Sequence, residues 1–146
     1  MDRSALETYL LGIDKSAIRL VVALDEAVRD AHATFNIAIK YKILMYALRG
    51  DFRTWVCAID AKRNSVALRF LYGVLLDDPR RVLRAGTSVL KTWDFGLDDV
   101  IDPVAVGVYV AEAVARYDKY KANTARVLNA SRTAARVRKK PRSRSA

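Results

Sequence analysis

The stretch SVALRFLYGVLLDDP, residues 65–79, decides how the chain is read. Its first half alternates. Val66, Leu68, Phe70 and Tyr72 point one way, and Ala67, Arg69 and Leu71 the other, which is the period-2 pattern of a strand with two unlike faces. Its second half closes on Asp77-Asp78-Pro79, where a strand must stop because proline brings no N–H to the ladder. Asp78-Pro79 therefore reads as a turn, with Pro79 opening a brief helical turn through Arg80 to Leu83.

The flanks repeat the pattern. AKRN, residues 61–64, is a short turn joining this strand to FRTWVCAID (52–60), which is rich in aromatic and β-branched residues. Further upstream, NIAIKYKI (36–43) sets Ile37, Ile39, Tyr41 and Ile43 against Asn36, Ala38, Lys40 and Lys42. Downstream, a tight RAG at 84–86 leads into TSVLKTWDF (87–95). Short strands on short turns predict an antiparallel meander. Before it, Ser4 and Glu7 have capping-box spacing for a short helix ending at Gly12. Asp14 caps a second helix, on which Ala17, Leu20, Val21, Leu24, Ala27, Val28 and Ala31 form one stripe. After the strands, Asp102-Pro103 is a carboxylate cap followed by proline at the first helical position. Val106, Val110, Ala113, Val114 and Tyr117 are the apolar face of that helix. The expected fold is α+β: an antiparallel sheet of about five strands with two main helices packed on one face.

The chain has 146 residues, 52% of them hydrophobic, enough for one domain that buries about two thirds of its unfolded surface. It holds no apolar run of about 18 residues, so no membrane span is expected. The start MDRSALETYLLGID lacks the basic-then-apolar order of a signal peptide. Cys57 is the single cysteine and has no partner for an internal disulfide. These features predict a cytoplasmic protein. The net charge of +10 is unevenly placed. Residues 1–115 hold 15 Lys/Arg and 15 Asp/Glu, whereas residues 116–146 hold 11 Lys/Arg and one acid, Asp118. The reading divides the chain into a domain at 1–120 and a basic extension at 121–146, expected to be partly helical and then disordered from RKKPRSRSA onward.

The central stretch resembles the YdhG-like family of small bacterial domains of unknown function. The family pattern Leu-x-Phe-x-x-Gly-x-x-Leu-x-Asp-Pro is met by Leu68, Phe70, Gly73, Leu76, Asp78 and Pro79. Gly86, Thr87, Leu90, Lys91 and Trp93 fit the turn and basic strand that follow, and Asp99-Val100-Ile101 precede the last helix. The family's Tyr-Lys-x-Pro-x-aromatic is Tyr41-Lys42-Ile43-Leu44-Met45-Tyr46 here, with Leu44 in place of proline. The resemblance spans about residues 14–117. It implies a fold similar to that of frataxin, and for some members a role as an iron chaperone, but no family-wide catalytic set.

Four kinds of chemistry are compatible with these residue types. Iron needs clustered carboxylates or imidazoles. On the second helix Asp14, Asp25, Glu26 and Asp30 share the surface with Lys15, Arg19 and Arg29, the composition of a solvated mixed-charge face. Asp94, Asp98, Asp99 and Asp102 are a denser group, and Asp94, Asp98 and Asp99 are the candidate cation ligands, against the ordinary use of Asp in loops and caps. Cys57 lies inside an expected strand and His32 at a helix end, so neither zinc nor nucleophilic chemistry is supported, and the chain is read as non-enzymatic. No phosphate loop or dinucleotide fingerprint occurs, Gly73 and Gly86 read as turn glycines, and no cofactor is expected.

The sheet face opposite the helices is the third candidate. Lys40, Lys42, Trp55, Arg69 and one register of Lys91 would place basic groups beside an aromatic platform for a small anionic or flat ligand. The competing reading is that these cations keep an uncovered sheet soluble. The fourth is the tail. On a continued helix Lys121, Arg132, Arg136 and Lys139 share one face, the footprint of phosphate contacts on nucleic acid. No aromatic follows Tyr120, so such binding would be blind to sequence. The competing reading is a solubilising tail without a partner.

Overall fold

The computed structural model describes residues 3–86 and 88–123. Helix α1 (Ser4–Leu11) is followed by a 3-10 turn at Lys15–Ala17 and by α2 (Ile18–Ala31). Six strands come next: β1 (Asn36–Lys40), β2 (Ile43–Ala47), β3 (Cys57–Ala61), β4 (Ser65–Phe70), β5 (Leu83–Ala85) and β6 (Lys91–Gly96). Residues 103–123 are helical and are called α3. The strands form one sheet in the order β1-β2-β3-β4-β6-β5, with every neighbouring pair antiparallel. The fold is the expected α+β arrangement, with six strands among the described residues where about five were expected.

The helices form where periodicity placed them. Ala17, Leu20, Val21, Leu24, Ala27 and Val28 of the α2 stripe are all buried. They join Val106, Tyr109, Val110 and Tyr117 of α3 and Val66, Leu68 and Phe70 of β4 in one core. Asp102 caps α3, its Oδ1 accepting the Val104 and Ala105 N–H groups at 3.1 and 3.2 Å. Asp14 caps the 3-10 turn before α2, accepting the Ser16 N–H. At α1 the expected cap is displaced: Arg3 holds the cap position without a side-chain hydrogen bond, and Ser4 is the first helical residue.

Two segments depart from the sequence reading. NIAIKYKI is not one strand. It folds back at Tyr41-Lys42, where φ is +53° and +65°, so that Lys40 pairs with Ile43 across a two-residue hairpin. A turn with both φ values positive matches the right-handed twist of the flanking strands, and Asn-Gly is its usual sequence signal. Tyr-Lys gives no such signal. RAG is likewise no tight turn, since Arg84 and Ala85 belong to β5 and pair with β6. The brief helical turn expected from Pro79 to Leu83 is cut short: the Arg81 N–H donates to the Asp78 carbonyl at 3.1 Å across Pro79-Arg80, and Leu83 already belongs to β5. Asp78 (φ +48°) instead receives the N–H groups of Val82 and Leu83 on its two carboxylate oxygens, which turns the chain into β5. FRTWVCAID enters the sheet only at Cys57, and TSVLKTWDF only at Lys91, with Thr87 outside the described residues.

Gly73 is needed for proximity rather than for a turn dihedral. A Cβ there would lie 2.6 Å from the Lys91 Cβ and 2.8 Å from the Lys91 backbone nitrogen. Backbone cannot move aside as a flexible side chain does, so Gly73→Ala must push the 3-10 turn at Gly73–Leu75 off β6. The expected destabilisation is about 1–3 kcal/mol, the usual range for overpacking, measured by chemical denaturation. An unchanged midpoint would show that this contact is loose.

Candidate functional site

The sheet face away from the helices is set by strand register. Ala38, Met45, Ala58, Arg69, Thr92 and Arg84 form one row across it. Lys40, Trp55 and Arg69 do lie on this side, but they do not make a free basic platform. Trp55 is only 8% exposed and packs with Met45, Ala47 and Ala58, partly covered by Phe52, Leu71 and Leu90. The Lys40 ammonium sits 5.6 Å from the Phe52 ring centroid. Arg69 donates to Asp60 Oδ2 at 2.6 Å. Beside it, Arg84 grips Asp94 through Nε (2.6 Å) and Nη2 (3.1 Å), and this guanidinium holds the Asp94 carboxyl below the usual range. The cations of this face are thus paired where they meet acids.

Two expected members lie elsewhere. Lys42 is in the β1–β2 turn, not on a strand. Lys91 shares its side of β6 with Trp93 and Phe95, which pack in the helix-side core, so Lys91 is on the face opposite Arg69. The sequence allowed either register for Lys91 and Trp93. The Trp93 indole decides it, because it finds Tyr109 of α3 at 4.9 Å between ring centroids and Phe95 at 5.1 Å.

The acidic group is spent locally. Asp94 is held by Arg84, Asp99 accepts the Gly96 N–H at 2.8 Å, and Asp102 caps α3; Asp98 is exposed between them. Among the described residues no three His, Cys, Asp or Glu side chains are grouped so as to hold a metal ion. Cys57 is fully buried in β3, and burial pushes its thiol far above the ordinary range. His32 lies at the end of α2 with Nε2 2.8 Å from Thr34 Oγ1. Asp78-Pro79 proves structural: besides its two backbone donors, Asp78 accepts the Tyr109 hydroxyl at 2.7 Å, which pins the turn to α3.

Sequence reasoning missed a buried ionic group. Asp25 was read as a surface acid of α2, yet it is completely buried. It accepts the Tyr46 hydroxyl at 2.6 Å and Arg29 Nε on both oxygens at 3.0 Å. A signal was present, because Asp25 lies four residues after Val21 and three before Val28, both in the apolar stripe. Arg29 also borders a cleft of about 400 Å³ between α2 and β1, lined with His32, Phe35, Asn36 and Phe52.

Beside this cleft, Lys121 lies on α3 and reaches Asp51 Oδ2 at 2.5 Å, with its ammonium 5.9 Å from the Tyr117 ring centroid. Arg49 pairs with Asp118 on the same helix. Arg132, Arg136 and Lys139 lie outside the described residues. Lys121, followed by the Thr54 hydroxyl, holds the Asp51 carboxyl far below its usual range. Its folded pKa being depressed, Asp51 stabilises the fold above the unfolded value of about 3.9, and that stability is lost as pH falls through the folded value. Asp78 adds to the same dependence. Burial works against its charge, but Tyr109, Val82 and Leu83 together outweigh this and lower its pKa. Unfolding midpoints taken from pH 7 downward should therefore differ between the native chain and Asp51→Asn above about pH 4 and converge in stronger acid. A difference that persists unchanged into strong acid would show that the carboxylate charge is not what matters.

With this architecture in place, the chain is similar to a solved structure of YdhG, a protein of the DUF1801 family from Bacillus subtilis. The TM-score is 0.62 at 12% sequence identity, and the match covers 80% of this chain and 94% of that one. The chain has the YdhG fold. No family model and no curated protein matches the sequence. The likeness to YdhG is therefore one of architecture, and a fifth of the present chain lies outside it. Among the described residues no helix is long and apolar enough to cross a membrane.

Proposed function

We propose that this chain is a non-catalytic binding module which contacts nucleic acid phosphates through the basic segment that follows α3. The observation that carries the reading is charge segregation. Residues 124–146 contain eight Lys/Arg and no acid, while residues 1–123 contain 18 Lys/Arg and 16 Asp/Glu. Within the domain many cations are already committed: Arg29, Arg49, Arg69, Arg80, Arg84, Arg116 and Lys121 each hold a carboxylate. A segment of eight cations contains no acid of its own to neutralise it, and polyphosphate is the abundant surface that matches it. Lys121, tied to Asp51, belongs to the anchoring of α3 rather than to this segment. The test is the affinity of a random-sequence duplex for the whole chain and for residues 1–123 at two salt concentrations. Binding that is absent in the whole chain overturns the reading.

A further inference from the structure

Strand register brings two hairpin turns to one end of the sheet. Leu44 pairs with Ile59, so the β1–β2 turn at Tyr41-Lys42 adjoins the end of β3, where residues 62–64 turn into β4. The second turn is closed by the Lys62 N–H donating to the Ser65 carbonyl at 2.8 Å. The two turns are centred two strand spacings apart, roughly 10 Å. Lys40, Lys42, Lys62 and Arg63 are all exposed there, and none of the four has an ion-pair partner among the described residues. Of the nearby acids, Asp60 is engaged by Arg69, and Asp94, whose charge Lys62 feels, is engaged by Arg84; Asp98 and Asp99 follow the end of β6, which the Ser65–Gly96 pairing sets beside the 62–64 turn, and Asp99 accepts the Gly96 N–H.

Between these cations stands Tyr41, 88% exposed. Two features set it apart from an incidental surface aromatic. It occupies a left-handed backbone position (φ +53°) that disfavours a bulky side chain and suits glycine or asparagine, so the turn carries strain to present a ring. It is also flanked in sequence by lysines on both sides. An exposed aromatic face among unpaired cations matches an unpaired base on a phosphate backbone. A duplex offers the phosphates but keeps its base faces stacked.

We propose that the 40–42 and 62–64 turns form a platform for single-stranded nucleic acid, on which a base stacks against Tyr41 while Lys42, Lys62 and Arg63 meet phosphates. This rests on the nucleic-acid reading above and specifies the strand state that is bound. The basic segment supplies sequence-blind attraction to any polyphosphate, and the turns supply the preference for unpaired bases.

The experiment uses the whole chain and compares Tyr41→Gly, which suits the positive φ, with Tyr41→Phe, which keeps the ring. Each is titrated with a labelled single-stranded 12-mer, its duplex, and vesicles containing phosphatidylserine. Tyr41→Gly should weaken single-strand binding about tenfold or more and leave duplex binding within about twofold, while Tyr41→Phe stays close to the native chain. Equal single-strand affinity in Tyr41→Gly and the native chain overturns the platform even if duplex binding persists, in which case the segment reading stands. Single-strand binding that requires Tyr41, with no duplex binding, supports the platform and overturns the segment reading. Vesicle binding that falls with Tyr41→Gly while single-strand binding does not assigns the turns to membranes and overturns the proposal. Binding of neither nucleic acid ends both readings.

Discussion

Removing residues 124–146 is expected to abolish duplex binding while leaving the domain folded. The deletion takes away eight Lys/Arg and no acid, so the net charge falls from +10 to +2. If half of the eight contact phosphates, the log–log salt slope of the whole chain is about −3.6, and affinity drops about a hundredfold between 50 and 200 mM salt. The shortened chain should show little of that slope and bind at least a hundredfold more weakly at the lower salt. Its thermal unfolding should not move. The last buried residue of α3 is Tyr117, whose hydroxyl donates to the Thr54 carbonyl, and the Lys121–Asp51 pair is retained. A shortened chain that binds as tightly as the whole transfers the interaction to the domain. One that unfolds shows that the segment is part of the core.

The second large effect is expected at Asp25. Its carboxylate is fully buried between α2 and β2, facing a guanidinium whose side chain is itself only 10% exposed. Asp25→Ala takes the carboxylate from Arg29 and the acceptor from the Tyr46 hydroxyl at once. Breaking a buried pair on one side costs about 3–5 kcal/mol, a large part of the 5–15 kcal/mol typical of a domain. Tyr46→Phe removes one hydrogen bond to a charged acceptor and should cost less, about 1.5–3 kcal/mol. Burial, followed by the adjacent Asp25 charge and its hydrogen bond, raises the Tyr46 pKa well above the ordinary phenol, so the tyrosine stays a donor throughout the neutral range. Replacing Asp25 and Arg29 together by Leu and Met should recover much of the loss, because no charge is then left buried. Denaturant midpoints of the three variants decide the matter. A cost below about 1 kcal/mol for Asp25→Ala would mean that water reaches the site and the pair is not structural.

The outcome at each candidate site turned on whether the deciding interaction was local. The Asp102-Pro103 start of α3, the α2 stripe and the inward face of β4 were legible, since each depends on residues within one or two turns or on a two-residue period. The paired state of Arg69 and Arg84 was not, because their partners Asp60 and Asp94 lie nine and ten residues away and meet them only across the strands. The acids at 94–102 looked dense in sequence, yet Arg84, a backbone N–H and a helix cap draw three of them in different directions.

By itself the sequence determined the α+β class, the helix positions, the orientation of β4 and the concentration of net charge after residue 115, because periodicity, caps and composition are properties of the chain alone. Only the tertiary structure decided three further things: that Tyr41-Lys42 is a hairpin turn, that Lys91 faces the helices and that Asp25 is buried. The physical reason is the same in each case. A strand with apolar residues on both faces has two registers one residue apart, which exchange every side chain between core and surface. A residue at the edge of an apolar stripe likewise has two environments. Its own neighbours in sequence favour neither, and the choice falls to the packing partner: Ala47 and Met45 across the hairpin, Tyr109 against Trp93, and Tyr46 against Asp25.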